Sequence, residues 1–431
     1  MILRLSDSLS RGVLVVASVL ITVGVSFFSL RAAVAAYGAE SETGAGLELA
    51  TKLEPGDAEY WYRRAHFQQF NLEQPDPEGA TESFRRAIAL DPNYTDAWLD
   101  LGTSLELDGD KAGAREAFAR AKASYPASAE VSWRLANFLL REGDEKGAYQ
   151  EFRQALLAEP RRAAATYSRL YRANPNLEKI MDEVLPAEPR VYVDVLGEAL
   201  GAKQMDVAAK VWARLLTLHP TLGIRDFDRY VNELLVNGEY EDARRVWDQG
   251  TTRMNLPPLL APERSAVWDA SFESGIDGSA FAWHLLPFRD GVQTRLDPGE
   301  KLSGHQSLRM SFDGKHDPND EFACSVAVVE PGTNYRFSGW VKTREITTEE
   351  GIRFHLRSFG NPEAGVGVTR DVHGTAPWTL IEQLWTAAPK VHRVQICVSR
   401  DASDNPDVRI SGDAWVDDVN LVPQPVERRK R

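Results

Sequence analysis

An aromatic side chain on the polar side of a strand, with cations beside it, is the arrangement in this sequence best suited to binding chemistry. In Tyr335-Arg-Phe-Ser-Gly-Trp-Val-Lys342 the alternate residues Tyr335, Phe337 and Val341 make an apolar face, leaving Arg336, Ser338, Trp340 and Lys342 on the other. The next run sorts likewise, with Ile352, Phe354 and Leu356 inward and Arg353, His355 and Arg357 outward. In a third run Val394, Ile396 and Val398 point inward, and Arg393, Gln395 and Cys397 outward. If Ile346 to Glu350 form a hairpin loop, the first two runs are neighbours and their cations gather on one outer face with no acid among them. The expected ligand-binding set is then Trp340, Arg336, Lys342, Arg353, His355 and Arg357. An indole stacks on a sugar ring or apolar group while guanidinium groups hold carboxylates, so an acidic polysaccharide or an acidic protein partner suits this face. The competing reading is a solvated sheet surface rich in arginine.

Catalysis finds no such footing. The sequence has no His-Glu-x-x-His, no Gly-x-Ser-x-Gly, no phosphate loop and no Cys-x-x-Cys. Its eight histidines lack partners at metal-ligand spacing, and Asp417-Asp418 sit in an expected strand with no acid placed opposite. No catalytic residue is assigned and the chain is read as non-enzymatic. The net charge of -13 weighs against nucleic-acid binding. With two cysteines there is no disulfide framework. Strand parity places Cys324 with Phe322, Val326 and Val328, and Cys397 opposite its own apolar set, which weighs against pairing of the two.

The elements that position these residues begin with a repeat. Ala80, Ala114 and Ala148, then Phe84, Phe118 and Phe152, then Ala87, Ala121 and Ala155, then Pro92, Pro126 and Pro160 all recur at a step of 34. Alanine, phenylalanine and alanine spaced four and three apart share one helix face, and the proline five residues later stops the helix. Upstream stand Trp98, Leu101, Gly102 and Leu105, then Trp133, Leu135, Ala136 and Leu139. This order resembles the tetratricopeptide repeat family, whose helix-turn-helix unit stacks into a grooved solenoid that binds peptides or partner domains. The resemblance is specific over 58–160, with Ala208, Trp212, Ala243 and Trp247 extending it at a step of 35, while 161–186 fit poorly. Trp61, Trp98, Trp133, Trp212 and Trp247 are expected in the repeat core.

Residues 12–30 carry no charge and reach the roughly 20 residues that cross a bilayer. Arg4 and Arg11 before them favour a cytoplasmic N-terminus. Ala33-Val34-Ala35 could serve as a cleavage site, but Arg31 intervenes and the apolar run exceeds a usual signal core, so an uncleaved anchor is expected. The organisation expected is a cytoplasmic flank over 1–11, a transmembrane helix over 12–37, an all-α solenoid over 41–254, a proline-rich linker over 255–264, an all-β jelly-roll sandwich over 265–423 and a basic tail over 424–431.

The sandwich is inferred from short alternating runs separated by Gly, Pro, Asn and Asp. Within it Ser271-Phe272-Glu273, Gly304 with Ser307-Leu308, Pro331-Gly332 with Tyr335 and Trp340, Pro377-Trp378-Thr379 and Asp417-Asp418-Val419 resemble carbohydrate-binding modules of families 4 and 9, a galactose-binding-like jelly roll. That resemblance implies a structural Ca²⁺ near the first and last strands, where Glu273, Asp417 and Asp418 match. No other cofactor is expected.

Together these readings describe a single-pass bacterial inner-membrane protein whose solenoid holds a protein partner and whose sandwich touches glycan in the periplasm, in envelope or exopolysaccharide assembly. The alternatives are a protein-only assembly scaffold and an accessory subunit of a separately encoded polysaccharide enzyme.

Overall fold

Asp76, Asp110 and Asp144 keep the 34-residue step and each begins a helix. Their Oδ1 atoms accept the amide N–H of Gly79, Gly113 and Gly147 at 3.0, 2.9 and 3.0 Å, satisfying a donor that the first turn leaves open. This computed structural model describes residues 8–73, 75–257, 259, 264–275, 278–286, 290–359, 366–405 and 409–424. Arg4 and most of the N-terminal flank, residues 258 and 260–263 of the linker, and the tail beyond 424 lie outside the described residues. Two compact units divide the chain, Met1–Val195 and Leu196–Arg431.

The first unit is helical. It runs through α1 (Ser8–Glu40), α2 (Gly44–Leu53), α3 (Ala58–Phe70), α4 (Pro77–Leu90), α5 (Thr95–Leu107), α6 (Lys111–Ser124), α7 (Ala129–Arg141), α8 (Glu145–Ala158), α9 (Ala163–Ala173) and the short α10 (Leu177–Lys179), which a π turn over Ile180–Val184 continues. The poor fit of 161–186 has its cause here: Pro175 and Pro186 bracket a stretch too short for a full second helix.

Arg11–Glu40 is long and apolar enough to cross a membrane, and none of its most apolar window is buried within the protein. The same helix does not end at the apolar run. Ala39 joins Leu47 and Ala50 of α2 in a small core against Tyr60 and Phe67, and Ala35 is also buried. Glycine makes this crossing close, since a Cβ on Gly46 would lie 2.4 Å from the Gly38 carbonyl oxygen. Arg31 donates twice to Glu54, each bond 3.0 Å.

In the helix pairs that follow, the alanine and phenylalanine series are buried, with Phe84, Phe118 and Phe152 at most 1% exposed. Gly102 lets the Phe118 ring approach: a Cβ there would stand 3.1 Å from it. The first helices of successive pairs are linked side by side, Tyr62 donating to Asp100 at 2.9 Å and Arg134 reaching the other Asp100 oxygen at 2.8 Å. The tryptophans divide. Trp212 and Trp247 are core residues as expected, at 4% and 0% exposure. Trp61, Trp98 and Trp133 are only half-buried. The first two each donate their indole N–H to the carbonyl of a proline six residues back, Pro55 and Pro92, so they fasten loops as well as packing.

The second unit holds the end of α11 (Pro189–Gly201), then α12 (Met205–Thr217), α13 (Asp228–Asn237), α14 (Tyr240–Arg253) and a two-sheet antiparallel sandwich. Trp247 of α14 packs edge-on against Trp268 at 5.1 Å and Phe281 at 5.5 Å, and Tyr240 stacks on His392 at 4.9 Å. The last helices therefore share a core with the segment that leads into the strands.

The strands are β1 (His284–Leu285), β2 (Val292–Asp297), β3 (Ser307–Asp313), β4 (Asp320–Val328), β5 (Asn334–Ile346), β6 (Arg353–Ser358), β7 (Val366–Val368), β8 (Gly374–Thr386), β9 (Arg393–Arg400) and β10 (Ser411–Pro423). One sheet has the order β1-β4-β9-β6-β7 and the other β2-β3-β10-β5-β8. Between them Leu308, Met310, Phe337, Phe354, Ile381, Ile396 and Val416 are fully buried.

Phe118→Ala removes an aromatic that fills the contact of two helix pairs and should cost about 3–5 kcal/mol. Chemical denaturation followed by far-ultraviolet circular dichroism should show an earlier helical transition, with the sandwich transition followed by near-ultraviolet signals unmoved. An unshifted helical transition would contradict the repeat register.

Candidate functional site

Alternation on β5 holds as the sequence implies: Tyr335, Phe337 and Val341 are buried and Arg336 is exposed. Trp340 is half-buried on the outer side, between its cross-strand partners Asp417 of β10 and Leu380 of β8. Lys342 Nζ lies 2.7 Å from Glu300 Oε2, and Arg336 lies 3.9 Å from Glu382.

The single basic face does not form. β6 pairs with β7 and β9, whereas β5 pairs with β8 and β10, so the two strands are not hairpin neighbours. Register shifts between Val341 and Ile346, and a left-handed backbone at Glu345 (φ 55°), turn the chain out of one sheet. Ile352, bridged to Val372, brings it into the other. Trp340, Arg336 and Lys342 thus belong to the outer side of one sheet, and Arg353, His355 and Arg357 to that of the other.

Nor is the β6 group free of acids. Arg353 binds Asp401 at 2.6 Å and also Glu350, with Asp371 at 3.9 Å. Arg357 reaches Glu321 at 2.7 Å, and the His355 ring nitrogens stand 3.8 Å from Glu321 and 3.6 Å from Asp401. Most of these carboxylates come from loops, where strand alternation gives no view of them.

The cysteines are also corrected. Cys324 and Cys397 are cross-strand partners on β4 and β9, with Cα atoms 4.1 Å apart, and form a disulfide. The cause is a bulge: Glu321 pairs with Ser399 and Ala323 with Val398, so Phe322 is an extra residue. Beyond it Ala323, Ser325 and Ala327 face the core and Cys324, Val326 and Val328 face outward, one place off the parity read from Phe322. The apolar Val328 is buried where Gly238–Asp242 and His392 line a crevice of about 360 Å³ with it.

A cluster that alternation could have found, but that was not singled out, surrounds Trp415. Its ring is 1% exposed although it lies on the outer side of β10. The guanidinium groups of Arg344 and Arg309 lie 4.9 and 5.4 Å from its centroid and Lys342 Nζ 5.8 Å. The indole N–H donates to Asp297 at 2.9 Å. Asp413 accepts from Arg309, Arg344 and Ser311 at 2.8, 2.5 and 2.6 Å. Burial works against the Asp413 charge, but the Ser311 hydroxyl and the two guanidinium groups outweigh it and hold the carboxyl down to about 2.

Glu273, Asp417 and Asp418 bracket the loop 302–306. Asp417 Oδ2 accepts the amides of Leu302 and Ser303, its Oδ1 accepts that of Asp418, and Glu273 Oε1 accepts those of His305 and Gln306. Burial pushes the Asp417 carboxyl up. With backbone donors on three of these oxygens, the residues fit a Ca²⁺ ion, which takes six to eight oxygen ligands, poorly.

On the repeats, Tyr62, His66 and Phe70 form an aromatic stripe along α3, with centroids 6.2 and 4.6 Å apart in sequence. His66 and Phe70 are exposed, Phe70 by 54%. Their spacing of four residues was the available signal.

Residues 71–132 match the tetratricopeptide repeat family. No curated protein matches the chain. Among solved structures, MamA is similar at 17% identity and a TM-score of 0.26, covering 40% of this chain and 86% of its own. A family 61 carbohydrate-binding module in complex with β-1,4-galactotriose is similar at 15% identity and 0.27, covering 37% and 99%. The CBM22-1 xylan-binding domain of Paenibacillus barcinonensis Xyn10C is similar at 14% identity and 0.27, covering 38% and 97%.

Asp413→Asn should destabilise the sandwich by about 1–3 kcal/mol at neutral pH, since it weakens bonds to two guanidinium groups. The folded carboxyl lies below the unfolded value of about 3.9, so its contribution is complete above about pH 4 and is lost as pH falls toward about 2. Urea melts should show the gap to wild type closing over that window. A gap independent of pH would contradict the assignment.

Proposed function

We propose that this chain is a non-enzymatic, membrane-anchored adapter. Its repeats hold a protein partner and its sandwich contacts glycan, with both on the periplasmic side of a bacterial inner membrane, in envelope or exopolysaccharide assembly. The repeat match over 71–132 and the exposed aromatic stripe on α3 support the protein-binding half. The apolar reach of α1 supports the anchor.

The observation that carries the glycan half is the position of Trp340, half-buried in the middle of an outer sheet face with Arg336 and Lys342 on the same strand side. The indole offers a stacking face to a sugar ring, with Arg336, 3.9 Å from Glu382, and Lys342, held by Glu300 at 2.7 Å, beside it. The β6 cations belong to the opposite sheet, with Arg353 held by the loop residues Glu350 and Asp401 and Arg357 by Glu321 of β4, so they have no part in this surface.

Retention on a uronate polymer tests the reading. Trp340→Ala should abolish it, Arg336→Ala should weaken it in a salt-dependent way, and Arg353→Ala should leave it unchanged. Absence of retention in the wild-type chain would favour a scaffold making protein contacts only, and wild-type retention in folded Trp340→Ala would make this face a wetted surface with no part in binding.

A further inference from the structure

Two constraints meet at Arg31. It is the first charge after the uncharged run 12–30, which spans about 28 Å at 1.5 Å per residue, close to the roughly 30 Å of a bilayer's hydrocarbon core. Arg31 also holds Glu54, its guanidinium donating to both carboxylate oxygens at 3.0 Å. A charged pair is costly in hydrocarbon, and a residue adjoining the run cannot stand far above it. If α1 crosses a bilayer, Glu54 therefore lies at the headgroup layer, and with it Pro55 and Gly56 of the turn that follows.

The neighbouring contacts carry that level into the next helix. α2 runs back along α1, with Gly46 against Gly38 near one end and Glu54 against Arg31 at the other. α3 turns the other way again. A Cβ on Gly44, at the start of α2, would lie 3.0 Å from the Phe67 ring, whereas the Trp61 indole N–H donates to the Pro55 carbonyl, just beyond the end of α2, at 3.0 Å. Trp61 is half-buried, with the Arg64 guanidinium 5.6 Å from its ring centroid, and Pro55 and Gly56 are exposed. A tryptophan beside a polar turn suits the interfacial layer of a bilayer, which takes an amphipathic ring. Lys52 is bound to Glu48 and Arg63 to Glu59, so this end offers no cluster of free cations to the lipid.

We propose that the turn Glu54–Asp57 and the Trp61 ring rest on the lipid headgroups, a contact that builds on the anchor reading of α1 and gives the folded repeats a membrane surface of their own. The partner is the headgroup layer of the bilayer that α1 crosses. The tie between Arg31 and Glu54 sets the contact, and attraction to anionic lipid does not. α3, with 13 residues about 20 Å long, then leads away from the membrane. Its aromatic stripe of Tyr62, His66 and Phe70 runs outward from the headgroups, with Leu72 of the following loop at the far end.

Nitroxides carried by lipids quench a fluorophore that they touch and so locate it. Cys324 and Cys397 are buried in their disulfide, so a maleimide fluorophore on the whole chain labels only an introduced cysteine. Gly56→Cys suits the turn, since a Cβ there meets nothing within 4 Å. Ile21→Cys places the label in the middle of the apolar run, and Leu72→Cys places it beyond α3 at a residue 97% exposed. Far-ultraviolet circular dichroism shows that each labelled chain keeps its helices. In phosphatidylcholine vesicles a headgroup nitroxide should remove most of the emission at 56 and none at 72, and an acyl-chain nitroxide most of that at 21. Added phosphatidylglycerol should change none of this. Quenching at 21 with equal losses at 56 and 72, or with a loss at 56 that requires phosphatidylglycerol, would overturn the contact and leave the anchor standing. No quenching at 21 would remove the anchor and the contact together.

Discussion

The edge-on contact of Phe337 with Phe354, ring centroids 4.9 Å apart, governs the layout of the sandwich. These residues sit on strands adjacent in sequence, yet they meet across the core rather than along one sheet. Gly339 makes the contact fit, since a Cβ there would stand 2.7 Å from the Phe354 ring. Once the two inner faces are pressed together, the outer faces must look away from each other. Trp340 therefore cannot share a surface with Arg353, His355 and Arg357, and each group is surrounded by different neighbours. The first has strand partners on β8 and β10. The second has loop carboxylates and a disulfide.

Much of this protein can be read from its sequence because two periods are visible in it. The 34-residue step of alanine, phenylalanine and proline fixes the helix pairs over 80–160, and the aspartate caps obey it too. Period-two alternation placed Phe337, Val341, Phe354, Leu356, Ile396 and Val398 inward, and all are fully buried. Alternation says which side of a strand is apolar, but not which strand lies beside it, and the hairpin expected at 346–350 failed for that reason. A single inserted residue inverts it, as Phe322 did for Cys324. Short or polar strands leave no trace of it: β1, β2 and β7 were not foreseen. Trp415 escaped notice because its tryptophan is buried by arginine and lysine side chains rather than by apolar ones.

The repeats and the apolar helix are joined in a way that bears on the adapter reading. α1 continues past its uncharged run into the pair it makes with α2, where Ala35 and Ala39 are buried and Arg31 is held by Glu54. The apolar helix is therefore part of the first helix pair and not a separate segment. Cutting after Ala35 would remove half of that pair and uncover Leu47 and Ala50.

The central claim, that the first helices of the repeats present a protein-binding surface, is tested most directly by photo-crosslinking in intact membranes. A benzoyl-phenylalanine in place of Phe70 keeps an aromatic in the stripe on α3, and the same group at Arg120 of α6 samples an exposed second helix. A discrete adduct with a membrane-fraction protein from position 70 and none from 120 is the predicted result. No adduct at 70, or equal adducts at both positions, would contradict it.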